Sequence, residues 1–282
     1  MKMMAEIRVW GKFPTEYLKY VVHNFHVEDG FNHSLDKEIC YGAKFEVESD
    51  TDTPQYFDII NYLDAKKINY DIGRKLELSH EELNSFQYFE MGAEAIYDGS
   101  IKLNSDISEV CSFCHFGKSL KSQLQIPPSR LKKNKITFVT LLMSQDPFII
   151  IPVEYIELFK DCSGITFEPI LNSRNKEELK QFVHIKISNV LNKANKKTNF
   201  VPNGEEGCNH CNIPRVTLFD ILYYDQKTLD KALDFNLTCE WIGGGRFPNR
   251  WIVVSQKVRQ IILKNKLLRK GCFEPILSVP PF

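Results

Sequence analysis

Residues 149–159, IIIPVEYIELF, lead to residues 164–171, GITFEPIL, and nearer the other end of the chain residues 252–262, IVVSQKVRQII, lead to residues 271–277, GCFEPIL. Both stretches begin with an apolar run that predicts a strand, followed by a segment with the spacing of a short amphipathic helix. A glycine and the pentapeptide FEPIL come next in both, which predicts a turn and a second strand. The chain therefore contains two copies of a strand-helix-strand unit.

The same patterns predict the fold class. Two copies are too few for a solenoid, which needs at least three repeats, so we expect both to pack within one α+β domain. Alternating residues predict strands at 6–10 and 68–78, and helical spacing places Phe57, Ile60 and Leu63 on one face of a helix over residues 54–65. We therefore predict an α+β protein with mixed sheets and short helices.

Charge is unevenly distributed along the chain. Residues 1–100 contain 10 Lys+Arg and 19 Asp+Glu, a net charge of −9, whereas residues 101–282 contain 26 and 17, a net charge of +9. The sign changes at a polar connector, residues 98–106. We therefore predict an acidic N-terminal domain, residues 1–100, and a C-terminal domain, residues 101–282. The alternative is that two solvated surfaces merely differ in sign.

Composition excludes several classes of protein. Hydrophobic residues make up 43% of the 282 residues, which is enough for a core and excludes general disorder. No apolar run approaches the ~18 residues of a membrane-spanning helix. The first residues lack the apolar region of a secretory signal. We therefore expect a cytoplasmic protein with no membrane contact.

Four of the eight cysteines form two C-x-x-C motifs: Cys111 with Cys114, and Cys208 with Cys211. We call these the first and second knuckles. Structural disulfides are rare in a reducing cytoplasm, so paired cysteines indicate metal or redox chemistry. Four thiolates in two knuckles provide the tetrahedral sulfur coordination that suits zinc. Residues 115–207 separate the knuckles, so they would have to meet through the tertiary fold.

Alternatives to this zinc site remain open. A C-x-x-C pair is redox-active when it opens a helix after a strand, but neither knuckle has that context. His115 and His210 adjoin or lie within the knuckles and are possible replacement ligands. A site closed by four cysteines has no open coordination position and is therefore structural. Since neither G-x-S-x-G nor H-E-x-x-H occurs, we expect no enzymatic activity.

Residues 107–277 resemble the bacterial double-CXXCG-motif family. In that family the two knuckles flank a long insert with an apolar strand-helix-strand unit. A Leu/Asp-rich stretch, a strand that leads into a helix, and a Phe-rich strand follow the second knuckle. The matching segments of this chain are CNHC at 208–211, LDKALD at 229–234, IVVSQKV at 252–258 and FEPIL at 273–277. The chain departs from the family pattern where His115 and Asn212 replace the glycine after each knuckle.

The resemblance implies a function. Members of the family look like immunity proteins of bacterial contact-dependent, polymorphic toxin systems. Such proteins are non-enzymatic and neutralise a cognate toxin by binding it. The resemblance therefore implies a cytoplasmic immunity protein whose partner is a toxin, with structural zinc held by the four knuckle cysteines. An acidic surface in residues 1–100 would suit the basic cleft of a nuclease toxin.

Two other functions are compatible with the residues. The +9 charge of residues 101–282 and the knuckles favour a zinc-stabilised nucleic-acid-binding module, although the basic runs lack interleaved aromatic residues. A thiol oxidoreductase would need one knuckle with a lowered thiol pKa and no zinc. Zinc content distinguishes the thiol oxidoreductase, which would contain none, from the immunity protein and the nucleic-acid-binding module, which would both contain it.

Overall fold

The computed structural model describes residues 2–25, 28–29, 39–48, 54–92, 96–97, 107–109, 111–113, 118–120, 123–131, 135–140, 147–202, 210, 215–218, 221–243 and 249–280. Its contacts divide the chain into two compact units. The N-terminal unit comprises Met1–Ser85 with Leu218–Ile221, and the C-terminal unit comprises Phe86–Thr217 with Leu222–Phe282. The described residues form several sheets and short helices, which confirms the predicted α+β class.

The N-terminal unit is one four-stranded sheet with helices. Its elements are β1 (Lys2–Pro14), α1 (Thr15–Phe25), β2 (Glu28–Asp29), β3 (Ile39–Glu48), α2 (Pro54–Ala65), β4 (Asn69–Glu77) and α3 (His80–Ser85). The strand order is β2-β3-β1-β4, and all three neighbour pairs are antiparallel. This chain order and strand order correspond to the split β-α-β topology.

The core of this unit lies between one sheet face and the two longer helices. It contains Ala5, Ile7 and Val9 of β1, Val21 of α1, and Ile59 and Leu63 of α2. The predicted helix and strands are confirmed, but the predicted apolar face of α2 is only partly right. Phe57 is 49% exposed, whereas Ile59 is fully buried. The buried stripe contains Ile59 and Leu63, one helical turn apart, and Phe57 lies outside it.

The C-terminal unit contains sixteen strands and three short helices in the part of the chain that is described. They are β5 (Tyr88–Met91), β6 (Ile96–Tyr97), β7 (Ile107–Glu109), β8 (Lys118–Leu120), β9 (Gln125–Ile126), β10 (Thr137–Thr140), β11 (Phe148–Pro152), α4 (Ile156–Phe159), β12 (Ile165–Asn172), β13 (Glu178–Ile187), β14 (Phe200–Pro202), β15 (Arg215–Leu218), β16 (Tyr223–Asp225), α5 (Gln226–Leu229), β17 (Phe235–Ile242), β18 (Asn249–Ser255), α6 (Gln256–Lys264), β19 (Phe273–Pro275) and β20 (Leu277–Val279). Single-turn 3₁₀ helices lie at Pro128–Arg130, Val153–Tyr155 and Lys270–Cys272.

Two six-stranded sheets form the framework of this unit. Their orders are β6-β10-β11-β13-β12-β9 and β14-β15-β17-β18-β5-β19. Two shorter pairs, β16 with β20 and β7 with β8, complete the described strands. Because β5 pairs with β18 and β19, residues 88–91 belong to the C-terminal unit. The connector at residues 98–106 lies outside the described residues, so the domain boundary near residue 100 stays a prediction.

Both strand-helix-strand copies are confirmed. The first consists of β11, a 3₁₀ turn, α4 and β12, and the second consists of β18, α6 and β19. Ser255 caps α6, since its hydroxyl accepts the N–H of Val258 at 3.4 Å. Each copy lies in a different six-stranded sheet. None of the described helices is both long and apolar enough to cross a bilayer.

Candidate metal centre

The first knuckle lies on a β-hairpin. Strands β7 and β8 pair antiparallel, and Glu109 opposite Lys118 is the last pair before the connecting loop. That loop carries the CSFC sequence. Its residues Ser112 and Phe113 form a turn, and Cys111 just before them is buried, with 5% of its surface exposed. A hairpin loop therefore holds this knuckle with its first cysteine turned away from solvent.

The second knuckle lies between two neighbouring strands as well. β14 and β15 are adjacent in the six-stranded sheet, and the chain between them contains the CNHC sequence. Of this knuckle, the described residues include only its third residue, His210, and the side chain of His210 is exposed. Both knuckles therefore occur on connections between paired strands, which the sequence patterns did not predict.

One described residue of each knuckle contacts a described residue of the other knuckle. The ring of Phe113, the third residue of the first knuckle, stacks on the imidazole of His210, with 3.5 Å between ring centroids and 5° between ring planes. Phe113 remains 66% exposed, so the stack lies at the protein surface. Residues 115–207 separate the knuckles in sequence, and this contact is the long-range proximity that a shared metal ion requires.

The donor set itself is described only in part. Cys111 is the predicted ligand that the structure describes, whereas Cys114, Cys208, Cys211 and His115 lie outside the described residues. In the part of the chain that is described, no three His, Cys, Asp or Glu side chains gather as metal ligands. With one predicted ligand in that part, the zinc site stays a prediction. The donor chemistry, four cysteines in two adjacent knuckles, fits zinc.

Two cysteines outside the knuckles have the environment of small buried hydrophobic residues. Cys162 is buried, and burial raises the pKa of its thiol to about 11. Burial also raises the pKa of the half-buried Cys239, and the nearby Glu240 adds to the effect. Both thiols are therefore protonated near neutral pH, whereas a metal ligand must be a thiolate. Cys272 is half-buried, and the Cys40 side chain lies outside the described part.

Two ionisable pairs that include the glutamate of the repeated pentapeptide were not predicted from the sequence. His184 of β13 lies opposite Glu168 of β12, with 3.8 Å between Nδ1 and Oε2, and burial lowers the pKa of His184 to about 4. Glu90 of β5 lies opposite Glu274 of β19, and burial together with Glu274 raises the pKa of Glu90 to about 8. The glutamate of FEPIL, which occurs in both copies, was the sequence signal that could have indicated these pairs.

Comparison with known proteins adds no relative. No family model matches the chain, and no curated protein or solved structure shows significant similarity to it. The resemblance to the double-CXXCG-motif family therefore stays a prediction that depends on the segments quoted above.

Proposed function

We propose that this protein is an immunity protein that binds and neutralises a cognate bacterial toxin, and that a structural zinc ion held by Cys111, Cys114, Cys208 and Cys211 stabilises it. The observation that supports the zinc site is the stack of Phe113 on His210, because it brings two distant knuckles together. The order of knuckles, repeat and C-terminal strand supports the immunity role through the family resemblance.

The zinc ion has a structural role in this proposal. Four thiolates leave no coordination position for a substrate, so the ion would hold the β7–β8 hairpin against the connection between β14 and β15. Because the ligands do not form a preorganised site in the unfolded chain, the free energy of metal binding adds to the free energy of folding. The protein would then act by binding its partner, with no reaction of its own.

Zinc content tests the metal part of the proposal. Purified protein is expected to contain one zinc ion per chain by elemental analysis, and Cys111→Ser and Cys208→Ser are each expected to lose it. Cys272→Ser is the control, because this half-buried cysteine lies outside both knuckles. A protein without zinc, or knuckle variants that retain it, would refute the site.

Co-expression tests the immunity part. Cells that express the toxin encoded beside this protein are expected to survive with the wild-type chain and with Cys272→Ser, and to die with Cys111→Ser. Reversing the exposed charges Glu16 and Asp58 in the N-terminal unit should slow association with a basic toxin and weaken its salt dependence. Equal killing with and without the wild-type protein would exclude the immunity role.

One observation favours the nucleic-acid alternative. Lys264, Lys266, Arg269 and Lys270 are exposed at and beyond the end of α6. A nucleic-acid-binding protein would be retained on DNA or RNA at low salt, with retention that falls steeply as salt rises. Substituting Lys264 and Lys270 by glutamine would then reduce that slope. Absence of retention at low salt would exclude this alternative.

A further inference from the structure

Two consecutive parts of the C-terminal unit share one order of elements, apart from one short strand and one short helix. In the first half, residues 88–172, the order is β5, β6, β7, the first knuckle, β8, β9, β10, β11, α4 and β12. In the second half, residues 178–275, the order is β13, β14, the second knuckle, β15, β16, α5, β17, β18, α6 and β19, so the halves differ by β6 and α5. The similarity therefore extends well beyond the strand-helix-strand copies and includes one knuckle in each half.

The strand registers match residue by residue. In the first sheet, β13 is antiparallel to both β11 and β12, with Phe182 opposite Pro152 and His184 opposite Glu168. In the second sheet, β5 is antiparallel to both β18 and β19. There Tyr88 lies opposite Ser255, and Glu90 lies opposite Glu274. Pro152 corresponds to Ser255, and Glu168 to Glu274, in the repeated sequences, so the central strands correspond as well.

Each central strand belongs to the opposite half of the chain. β13, from the second half, lies between the repeat strands of the first half, and β5, from the first half, lies between those of the second. We propose that the C-terminal unit is an internal duplication whose halves have exchanged their central strands, and that a pseudo-twofold axis between them passes through the contact of the two knuckles.

The knuckle contact supports the axis independently of the sheets. Phe113 and His210 are both the third residue of a C-x-x-C motif, so they occupy equivalent positions in the two halves. Two copies related by a twofold axis bring a residue at the axis into contact with its own counterpart, as in an isologous dimer interface. Their stacked, nearly parallel rings, 3.5 Å apart, have that relation. An accidental contact between two loops would pair positions that are not equivalent.

The duplication gives the zinc ion of the proposed function a specific role. If the four knuckle cysteines bind one ion, each half contributes one knuckle, and the metal joins the halves at their axis. A tetrahedral ion has a twofold axis that relates two pairs of ligands, which suits this arrangement. This last step depends on the proposed function, whereas the duplication and the exchange of strands do not.

Swapping the stacked residues tests the axis. The double variant Phe113→His with His210→Phe keeps the same pair of rings, and equivalent surroundings should accept them in either order. We expect it to unfold at the wild-type temperature and to release zinc to a chelator at the wild-type rate. Phe113→Ala and His210→Ala should each release zinc about two- to tenfold faster, the factor of one lost aromatic pair. A double variant as impaired as the alanine variants would overturn the axis.

Hydrogen exchange tests the exchange of strands. Met91 of β5 and Ile185 of β13 are equivalent and buried, opposite Phe273 and Phe167 respectively. Met91→Ala should increase amide exchange in β18 and β19 of the second half, and Ile185→Ala in β11 and β12 of the first. Met91→Leu and Ile185→Val provide milder versions if the alanine variants unfold. Increased exchange confined to the half that carries the substitution would overturn the proposal. Absence of zinc would refute only the metal site, since this readout does not require metal.

Discussion

The two halves of the C-terminal unit share a strand register but carry different charges on it. In the first half the FEPIL glutamate, Glu168, lies opposite a buried histidine and receives a hydrogen bond from Lys186 at 2.7 Å. In the six-stranded sheet of the second copy its counterpart, Glu274, lies opposite another glutamate, Glu90, and Gly92 stands where the sheet of the first copy has Lys186. The two sheets therefore share one strand register, which apolar alternation and backbone pairing maintain, whereas the ionisable side chains on that register differ.

The turns that precede the last repeat strands differ in a similar way. Gly164 has a φ of +87°, and a Cβ atom on it would lie 2.2 Å from the carbonyl oxygen of Phe235. A Cβ on Gly271 would meet no heavy atom within 4 Å. The glycine of the first copy is therefore needed for both conformation and close packing, and that of the second copy for neither. Gly164 lies three residues before Phe167 and Gly271 two residues before Phe273, so a glycine near the same point of each copy has two different physical roles.

The largest effect is expected from Gly164→Ala. Left-handed backbone and overpacking against β17 should together reduce the free energy of unfolding by about 2–5 kcal/mol. Gly271→Ala is the matched control and should change it by less than about 1 kcal/mol. Urea unfolding of both variants measures the difference. Equal losses at the two positions would show that the two turns are under the same constraint.

A second prediction concerns the pH dependence of the six-stranded sheet that contains the second copy. The Glu90 carboxyl keeps its proton up to about pH 8 in the folded chain, whereas a glutamate with the ordinary pKa of 4.5 loses it much earlier. Stability is therefore lost as the pH rises from about 4.5 to about 8. Glu90→Gln, which resembles the protonated acid, should remove this loss and gain on the order of 3 kcal/mol above that window.

Urea unfolding midpoints from pH 4 to 9 measure this effect. Glu81→Gln, at an exposed position in α3, is the control and should follow the wild-type curve. If Glu90→Gln shows the same alkaline loss as the wild type, Glu90 is not its origin.

The six-stranded sheet that contains the first copy should respond to pH in the opposite direction. The folded chain does not protonate His184 until about pH 4, whereas an ordinary histidine is protonated near pH 6.5. Stability is therefore complete above about pH 6.5 and is lost as the pH falls towards about 4. His184→Gln should reduce that acid loss by on the order of 2 kcal/mol. Exchange of amides in β11 and β12 at pH 4.5 and 7 measures it, with the exposed His80→Gln as control.

Most local elements of the fold could be predicted, because their signals lie within a few residues. Helix α2 begins at Pro54 and ends at Ala65, as its spacing predicts. Ser79 and Glu82 have the S-x-x-E spacing of a capping box, and the box forms, with Glu82 N–H donating to the Ser79 hydroxyl at 3.2 Å. Phe57 is the counterexample, since its exposure depends on the sheet that packs against α2.

The pairing of the strands could not be predicted in the same way. Nothing in residues 88–91 indicates that they lie between β18 and β19. Alternation of apolar and polar residues predicts a strand but not its partners, which here are far away in sequence. The candidate site shows the same division. Cysteine spacing identified both knuckles, but the stack of Phe113 on His210 depends on tertiary structure. His184 and Glu90 were missed because a polar residue in an alternating strand is normally assigned to the solvent face.

The smallest expected effect concerns the residue that begins the helix of each copy. The Ser255 hydroxyl accepts the Val258 N–H at 3.4 Å and donates to Asp234 at 2.7 Å. Its counterpart, Pro152, has no hydroxyl, so the first copy begins its helical turn without this cap. Ser255→Ala should therefore reduce the free energy of unfolding by about 1–2 kcal/mol, the range of a lost N-cap.

This loss should also extend beyond the second copy. Asp234 accepts hydrogen bonds from the N–H and hydroxyl of Ser163, at 2.9 and 3.1 Å, and Ser163 lies in the turn of the first copy. Without Ser255, Asp234 loses one of the donors that hold it against that turn, so Ser255→Ala should increase amide exchange at Ser163. Ser278→Ala, at an exposed position in β20, is the control. An effect confined to α6 would mean that the two copies are not coupled through Asp234, and that the difference between Ser255 and Pro152 affects only one helix.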